Sequence, residues 1–250
     1  MLYDLFPNTK RTLMGRAALV TVLAFVLAGQ GAAFAQDAAQ DPETTPSFSL
    51  SANVMLVSDY RFRGVSLSDK DVAIQGGFDI ETASGFYAGT WASSIDTFAG
   101  SETEVDLYAG YGGEVRISGG DLAYDVGFMA YTYPGSSGTL YLEGYGSVSG
   151  ALENIEWTAG AAYAFSQDNL GNQDNIYLYL DGGMPLGESG LSLAGHFAYE
   201  DGAFGDGKLD WSLGLSIPVK DFTLGVSYVD TNLSDRLGDA GILLSLGASF

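Results

Sequence analysis

Hydrophobic and polar side chains alternate along most of the chain with a period of two. Phe48, Leu50, Ala52, Val54 and Leu56 share one side, and Ser49, Ser51, Asn53 and Met55 the other. This is the signature of a strand with unlike faces. The pattern recurs over residues 72–80, 105–111, 122–128, 155–165, 176–180 and 209–217. Residues 86–92, 140–148, 191–199 and 222–228 carry bulky side chains on both faces and are also read as strands. A last strand puts Ala240, Ile242, Leu244, Leu246, Ala248 and Phe250 on one face.

The spacing predicts about 12 strands, because a mature chain leaves about 18 residues for each strand and connection, against about 10 per membrane strand. Compact connections are expected at 82–85, 118–120, 149–151, 185–187 and 218–221, on the periplasmic side. Longer, acidic ones are expected at 166–174, 200–208 and 230–240, on the exterior.

The N-terminus reads as a signal peptide over residues 1–35: Lys10, Arg11 and Arg16, an apolar run from Ala17 to Ala28, then Ala33 and Ala35 as a cleavage site. The run is too short to span a bilayer as a helix. Residues 36–47, with Pro42 and Pro46, read as a flexible periplasmic leader, and 48–250 as one β-barrel domain.

Composition narrows the class. The chain is 46% hydrophobic and 13% aromatic, which excludes intrinsic disorder. Its net charge of −21 makes nucleic acid a poor partner, and removal of residues 1–35 takes it to −23. With no cysteine and a single histidine, disulfide scaffolds, thiolate nucleophiles and sulfur or polyhistidine metal sites are excluded. No calcium-loop spacing occurs, so no metal or cofactor is assigned.

A soluble exported β-sandwich has the same alternation, but three features favour lipid on the apolar side. The last strand stops at the aromatic Phe250, like the C-terminal assembly signal of bacterial outer-membrane barrels. The opposite strand faces are rich in Gly, Ser, Ala, Asp and Glu and nearly free of Lys, which normally protects soluble strand edges. Tyr60, Phe62, Phe86, Tyr87, Tyr131, Tyr133, Phe165 and Tyr199 recur near strand ends, as in interfacial girdles. Strands span hydrocarbon only as a closed barrel, because every backbone amide must be paired internally.

Several segments in order also resemble a known family. They are Ser51-Ala52-Asn53-Val54, Val57 through Ser66 (VSDYRFRGVS), Gln75-Gly76-Gly77-Phe78-Asp79, Ser84 through Ser93 (SGFYAGTWAS), Glu104 through Tyr111 (EVDLYAGY) and Tyr131 through Gly135 (YTYPG). The chain resembles the TorF-type porins of proteobacteria over nearly its whole mature length. The resemblance implies an outer-membrane β-barrel and names no substrate.

Asp59, Arg61 and Arg63 are expected on the inward face near the outer end of the first strand. There they would set up a transverse field or form a rim salt-bridge network. Glu102, Glu104 and Asp106, two residues apart, are expected as a carboxylate ladder in the outer half of the lumen. Asp79, Glu81, Glu114, Asp121, Asp125, Glu143, Glu156 and Asp181 add to a strongly negative lumen. His196, near Glu200, is the one candidate general base. Ser192 lies four residues before it, about 13 Å along an extended strand, so the chain is not read as an enzyme.

The expected function is an outer-membrane porin passing small solutes through an acidic, cation-preferring lumen. The alternative is a non-conducting structural or adhesion barrel plugged by side chains such as Tyr108, Tyr141, Tyr145, Tyr177 and Tyr179. Expected partners are outer-membrane lipid, the barrel assembly machinery, and small solutes or cations.

Overall fold

The computed structural model describes residues 47–117, 120–136 and 140–250. The predicted signal peptide and all but the last residue of the predicted leader lie outside the described residues.

The period-two segments form strands that pair in chain order. They are β1 (Phe48–Val57), β4 (Ala73–Thr82), β5 (Phe86–Phe98), β6 (Ser101–Ile117), β7 (Gly120–Thr132) and β8 (Tyr141–Leu152). Then come β9 (Ile155–Gln167), β10 (Gln173–Pro185), β11 (Ser192–Gly202), β12 (Gly205–Val219), β13 (Phe222–Thr231) and β14 (Gly241–Ser249). Every neighbouring pair is antiparallel, and β14 pairs back onto β1, so these 12 strands close into a barrel. Two short strands, β2 (Arg61–Phe62) and β3 (Val65–Ser66), form a separate hairpin.

Closure completes at a seam whose ladder runs from Asn53 opposite Ser249 to Val57 opposite Ser245. Phe250 extends it: its N–H donates to Ala52 O at 2.8 Å, and its carbonyl accepts from Ala52 N–H at 3.1 Å. The Phe250 side chain is exposed.

The alternation resolves into an outer apolar surface and an inner polar one. Leu50, Phe78, Leu107, Phe128, Leu180, Leu213 and Ile242 all stand outside, Phe128 with 64% of its surface exposed. Apolar exposure around the whole circumference is far beyond what a monomeric soluble protein presents. Buried polar side chains face inward instead, among them Gln75, Ser93, Glu104, Asp106, Glu143, Asn175, Glu200, Lys208 and Asp210.

Four connections depart from expectation: the 166–174 loop shortens to 168–172, the 185–187 turn lengthens to 186–191, and two others change more. The 149–151 turn moves to 153–154, because β8 and β9 stay paired out to Leu152 opposite Ile155, and Glu153 takes a left-handed φ of 57°. Residues 200–208 are not a long exterior loop: β11 and β12 run through them to a two-residue turn at 203–204. Glu200 and Lys208 therefore sit opposite each other in the wall. The 83–85, 186–191 and 220–221 connections fall on the rim where β1 begins and β14 ends, and 58–72 and 232–240 on the other rim.

Candidate functional site

The segment after β1 does not continue the wall; it folds into the lumen. Its turn uses Arg63 at φ 50° and Gly64 at φ 82°, consecutive left-handed residues of the kind that close two-residue hairpins. A Cβ at position 64 would press on Asp210 Cβ at 2.8 Å and clash with Thr231, so the turn tip fits against the wall only as glycine.

Asp59 fixes the hairpin's base, accepting from Arg61 Nε at 2.6 Å and Ser66 Oγ at 2.5 Å. Arg61 Nη1 donates to the carbonyls of Gly64, Leu237 and Asp239 at 2.8–3.0 Å, tying the hairpin to the 232–240 loop. Asp59, Arg61 and Arg63 were expected on one strand face; they belong instead to this inward hairpin, because the strand ends at Val57 and the chain reverses at Gly64.

Arg63 is the centre of the site. Its Nη2 donates to Glu143 on β8 at 2.7 Å and its Nη1 to Glu200 on β11 at 2.6 Å. Its guanidinium carbon lies 4.7 Å from the Phe62 ring centroid and 4.3 Å from that of Tyr177. Lys208 Nζ donates to the Arg63 carbonyl at 2.7 Å and pairs with Glu200 at 2.5 Å. Tyr131 OH and Asn175 Nδ2 donate to the same two carboxylates at 2.8 and 2.9 Å. Buried charges persist only when so surrounded by partners. Glu200 and Lys208 escaped the sequence reading because their stretch looked like a loop.

The predicted ladder is shortened and covered. Glu104 and Asp106 are fully buried on β6, while Glu102, on the same strand, is exposed and does not join them. Glu104 accepts from Tyr60 OH at 3.4 Å, and neither Asp106 oxygen has a hydrogen-bond partner among the described residues.

The two halves of the inner wall differ. Lumen-facing Tyr87, Trp91, Tyr108, Tyr131, Tyr141, Tyr145, Tyr177 and Tyr179 all lie on β5–β10. On β11–β14, β1 and β4 the inward positions are mostly Ser, Gly, Ala and Thr, with no Phe, Tyr or Trp. Several rings rest on the wall, each over the glycine directly across from it: Tyr108 over Gly89, Tyr87 over Gly110, Tyr145 over Gly127 and Tyr179 over Gly160. A Cβ at any of the four would fall inside contact distance of the ring. The hydroxyls then reach along the wall: Tyr108 to Asp79, Tyr87 to Asp125 at 2.9 Å, and Tyr87 to Tyr145 at 2.6 Å. Asp79 and Asp125 thus accept from tyrosine hydroxyls on the inner wall, in the half nearer the short turns.

His196 faces a cavity of about 50 Å³ below the hairpin, with Gln75, Asp181, Ser212, Ser227 and Ser245 around it. Its Nδ1 lies 2.6 Å from Asp181 and its Nε2 3.1 Å from Asp210 and 2.9 Å from Tyr177 OH. Both ring nitrogens are thus engaged by groups other than a serine, which is not a nucleophile and base arrangement. Among the described residues, no three His, Asp or Glu side chains converge as metal ligands.

Comparison with known proteins follows the architecture. A family model described as "Bacterial protein of unknown function (Gcw_chp)" matches residues 41–242, and the chain belongs to that family. No curated protein matches. Among solved structures, the chain is similar to the KdgM porin, at a TM-score of 0.56 and 9% identity over 80% of this chain and 98% of that one. The KdgM porin in complex with disordered oligogalacturonate gives 0.54 and 9%, over 80% and 97%. The NanC porin gives 0.50 and 12%, over 81% and 99%. At these identities the likeness is one of fold.

Proposed function

We propose that this Gcw_chp family member is an outer-membrane channel, a porin of the TorF type, passing small solutes through a cation-preferring lumen that its own 58–72 hairpin narrows. The observation that carries this reading is the inside-out barrel: an apolar belt outside, charged and hydroxyl side chains within, and a ladder that closes on itself. Hydrocarbon is the solvent such a belt matches, and closure leaves no unpaired strand edge in it. The reading carries with it export through a cleaved signal peptide and recognition of Phe250 by the assembly machinery.

Charge supports the cation preference. Arg61, Arg63 and Lys208 are each matched by carboxylates, whereas Asp79, Glu81, Asp125 and Asp181 face the lumen with no arginine or lysine on them among the described residues. Rings of fixed carboxylate favour cations.

Burial around the hairpin favours a second reading, a plugged structural or adhesion barrel. Tyr60, Arg63, Glu143, Glu200 and Lys208 are all nearly inaccessible.

Single-channel recording of the refolded protein in a planar bilayer, under a potassium chloride gradient, separates the two. Stepwise currents with a cation-selective reversal potential are expected. Currents only after Arg63→Ala would make the hairpin a closed gate, and silence from both folded proteins would leave the structural barrel.

A further inference from the structure

We propose that solutes cross the barrel off its axis, along the serine and glycine wall of β11–β14 and β1, and that His196 with Asp181 is the charged pair they meet there. This rests on the channel reading and adds to it where the solute travels and which residues select.

The opposite half of the lumen is occupied. Tyr60 packs on Trp91 with ring centroids 5.4 Å apart, Phe62 on Tyr131 at 5.6 Å, and Arg63 on Tyr177. The hairpin thus leans on the tyrosine wall through aromatic contacts, while its Gly64 tip meets Asp210 and Thr231 and its Arg63 carbonyl accepts from Lys208 on the other wall.

Space is left on the other side. The cavity under the hairpin is bounded there by Ala194, Ser212, Ser227 and Ser245, and toward the long-loop rim by the aliphatic Val57, Val229 and Leu243. Beyond these, Arg61 ties the hairpin to the 232–240 loop. A volume of about 50 Å³ admits a few waters or a small ion, since one water needs about 10–15 Å³ of such space. Anything the size of a sugar requires the hairpin to move.

The charges that meet a solute here are few. Arg61 and Arg63 border the cavity but are neutralised by Asp59, and by Glu143 and Glu200. The His196 side chain is 21% exposed, against 8% for Asp181 and 3% for Asp210, so the imidazole edge and Asp181 are what the cavity presents. Two carboxylates flank one imidazole, and Lys208, 3.9 Å from Asp210, is itself matched by Glu200 at 2.5 Å, so an excess of negative charge remains even with the ring protonated and the pair selects small cations. Glu104 and Asp106, buried on the tyrosine side, are off this route.

The chain has no cysteine, so single cysteines report cleanly. Ser212→Cys and Ser245→Cys mark the serine wall, and Ser149→Cys and Thr158→Cys the other. All four positions are half-buried, and Thr158, Asp181, His196 and Ser212 follow one another across paired strands. Each variant is made in whichever of wild type or Arg63→Ala conducts, then treated with a trimethylammonium methanethiosulfonate, with labelling followed by mass.

Labelling is expected at all four sites. Current should fall at least about twofold only on the serine wall. In unlabelled channels Asp181→Asn should move the reversal potential toward zero, and Glu104→Gln with Asp106→Asn should not. Equal or greater block from Ser149→Cys or Thr158→Cys, or selectivity that follows Glu104 and Asp106, would overturn the route while leaving the channel standing. Silence from unlabelled wild type and Arg63→Ala alike would overturn the channel reading, and the route with it.

Discussion

The two halves of the inner wall are built from the same alternation and do different work. On β5–β10 large rings lie flat over glycines, their hydroxyls reach carboxylates one or two strands away, and the hairpin is seated on them. On β11–β14 and β1 the inward side chains are short, and a cavity remains. A strand pattern that specifies only "polar, inward" thus permits both a packed support and an open surface. What separates them is side-chain volume at paired positions: a tyrosine opposite a glycine builds a platform, and a serine opposite a glycine leaves room.

The comparison breaks most severely at Arg63, where the hairpin is fastened. Arg63→Ala leaves Glu143 and Glu200 buried without their guanidinium and is expected to destabilise the fold by about 3–5 kcal/mol in denaturant unfolding. Arg63→Lys, which keeps the charge but not the fork, should recover only part of that. An unchanged unfolding midpoint for Arg63→Ala would show that the hairpin is not held as described.

Glycine substitutions sharpen the contrast between the halves. Gly160→Ala drives a methyl into the Tyr179 ring and should cost about 1–3 kcal/mol. Gly247→Ala on the serine wall meets its nearest atom at 3.5 Å, in ordinary contact, and should change stability by no more than about 0.5 kcal/mol. Similar losses at both positions would sink the platform account.

Smaller still is the effect of single hydroxyls. Tyr131→Phe removes one hydrogen bond to Glu143 while Arg63 still holds that carboxylate, so the expected loss is about 0.5–1.5 kcal/mol by thermal melting. The smallest effect belongs to the rim. Arg116 and Asp121 form an exposed pair at 2.8 Å on the short-turn side, and Arg116→Ala should leave the melting temperature where it was.

The site was legible in the sequence only in pieces. Asp59, Arg61 and Arg63 stood out as charges in an aromatic-rich segment, and Glu104, Asp106 and Glu143 as inward carboxylates. Their assembly did not follow, because Arg63 lies 80 residues from Glu143 and 137 from Glu200. A left-handed Arg-Gly pair gives a local hint of a turn, but nothing local says that the turn points inward. Glu200 and Lys208 were masked by the glycines and acids around them, and the Asp-Gly steps at 201–202 and 206–207 flank the turn at 203–204 without forming it.

Sequence alone determined most of the wall strands, which side of each is apolar, and their approximate number in the mature chain, because a two-residue period is a local property that the backbone turns directly into two faces. Only the tertiary structure decided the register that sets tyrosine against glycine, the hairpin turned inward, and the cavity left on one side. Each of these depends on which distant residues closure brings opposite one another, and the alternation itself is the same whichever partners are chosen.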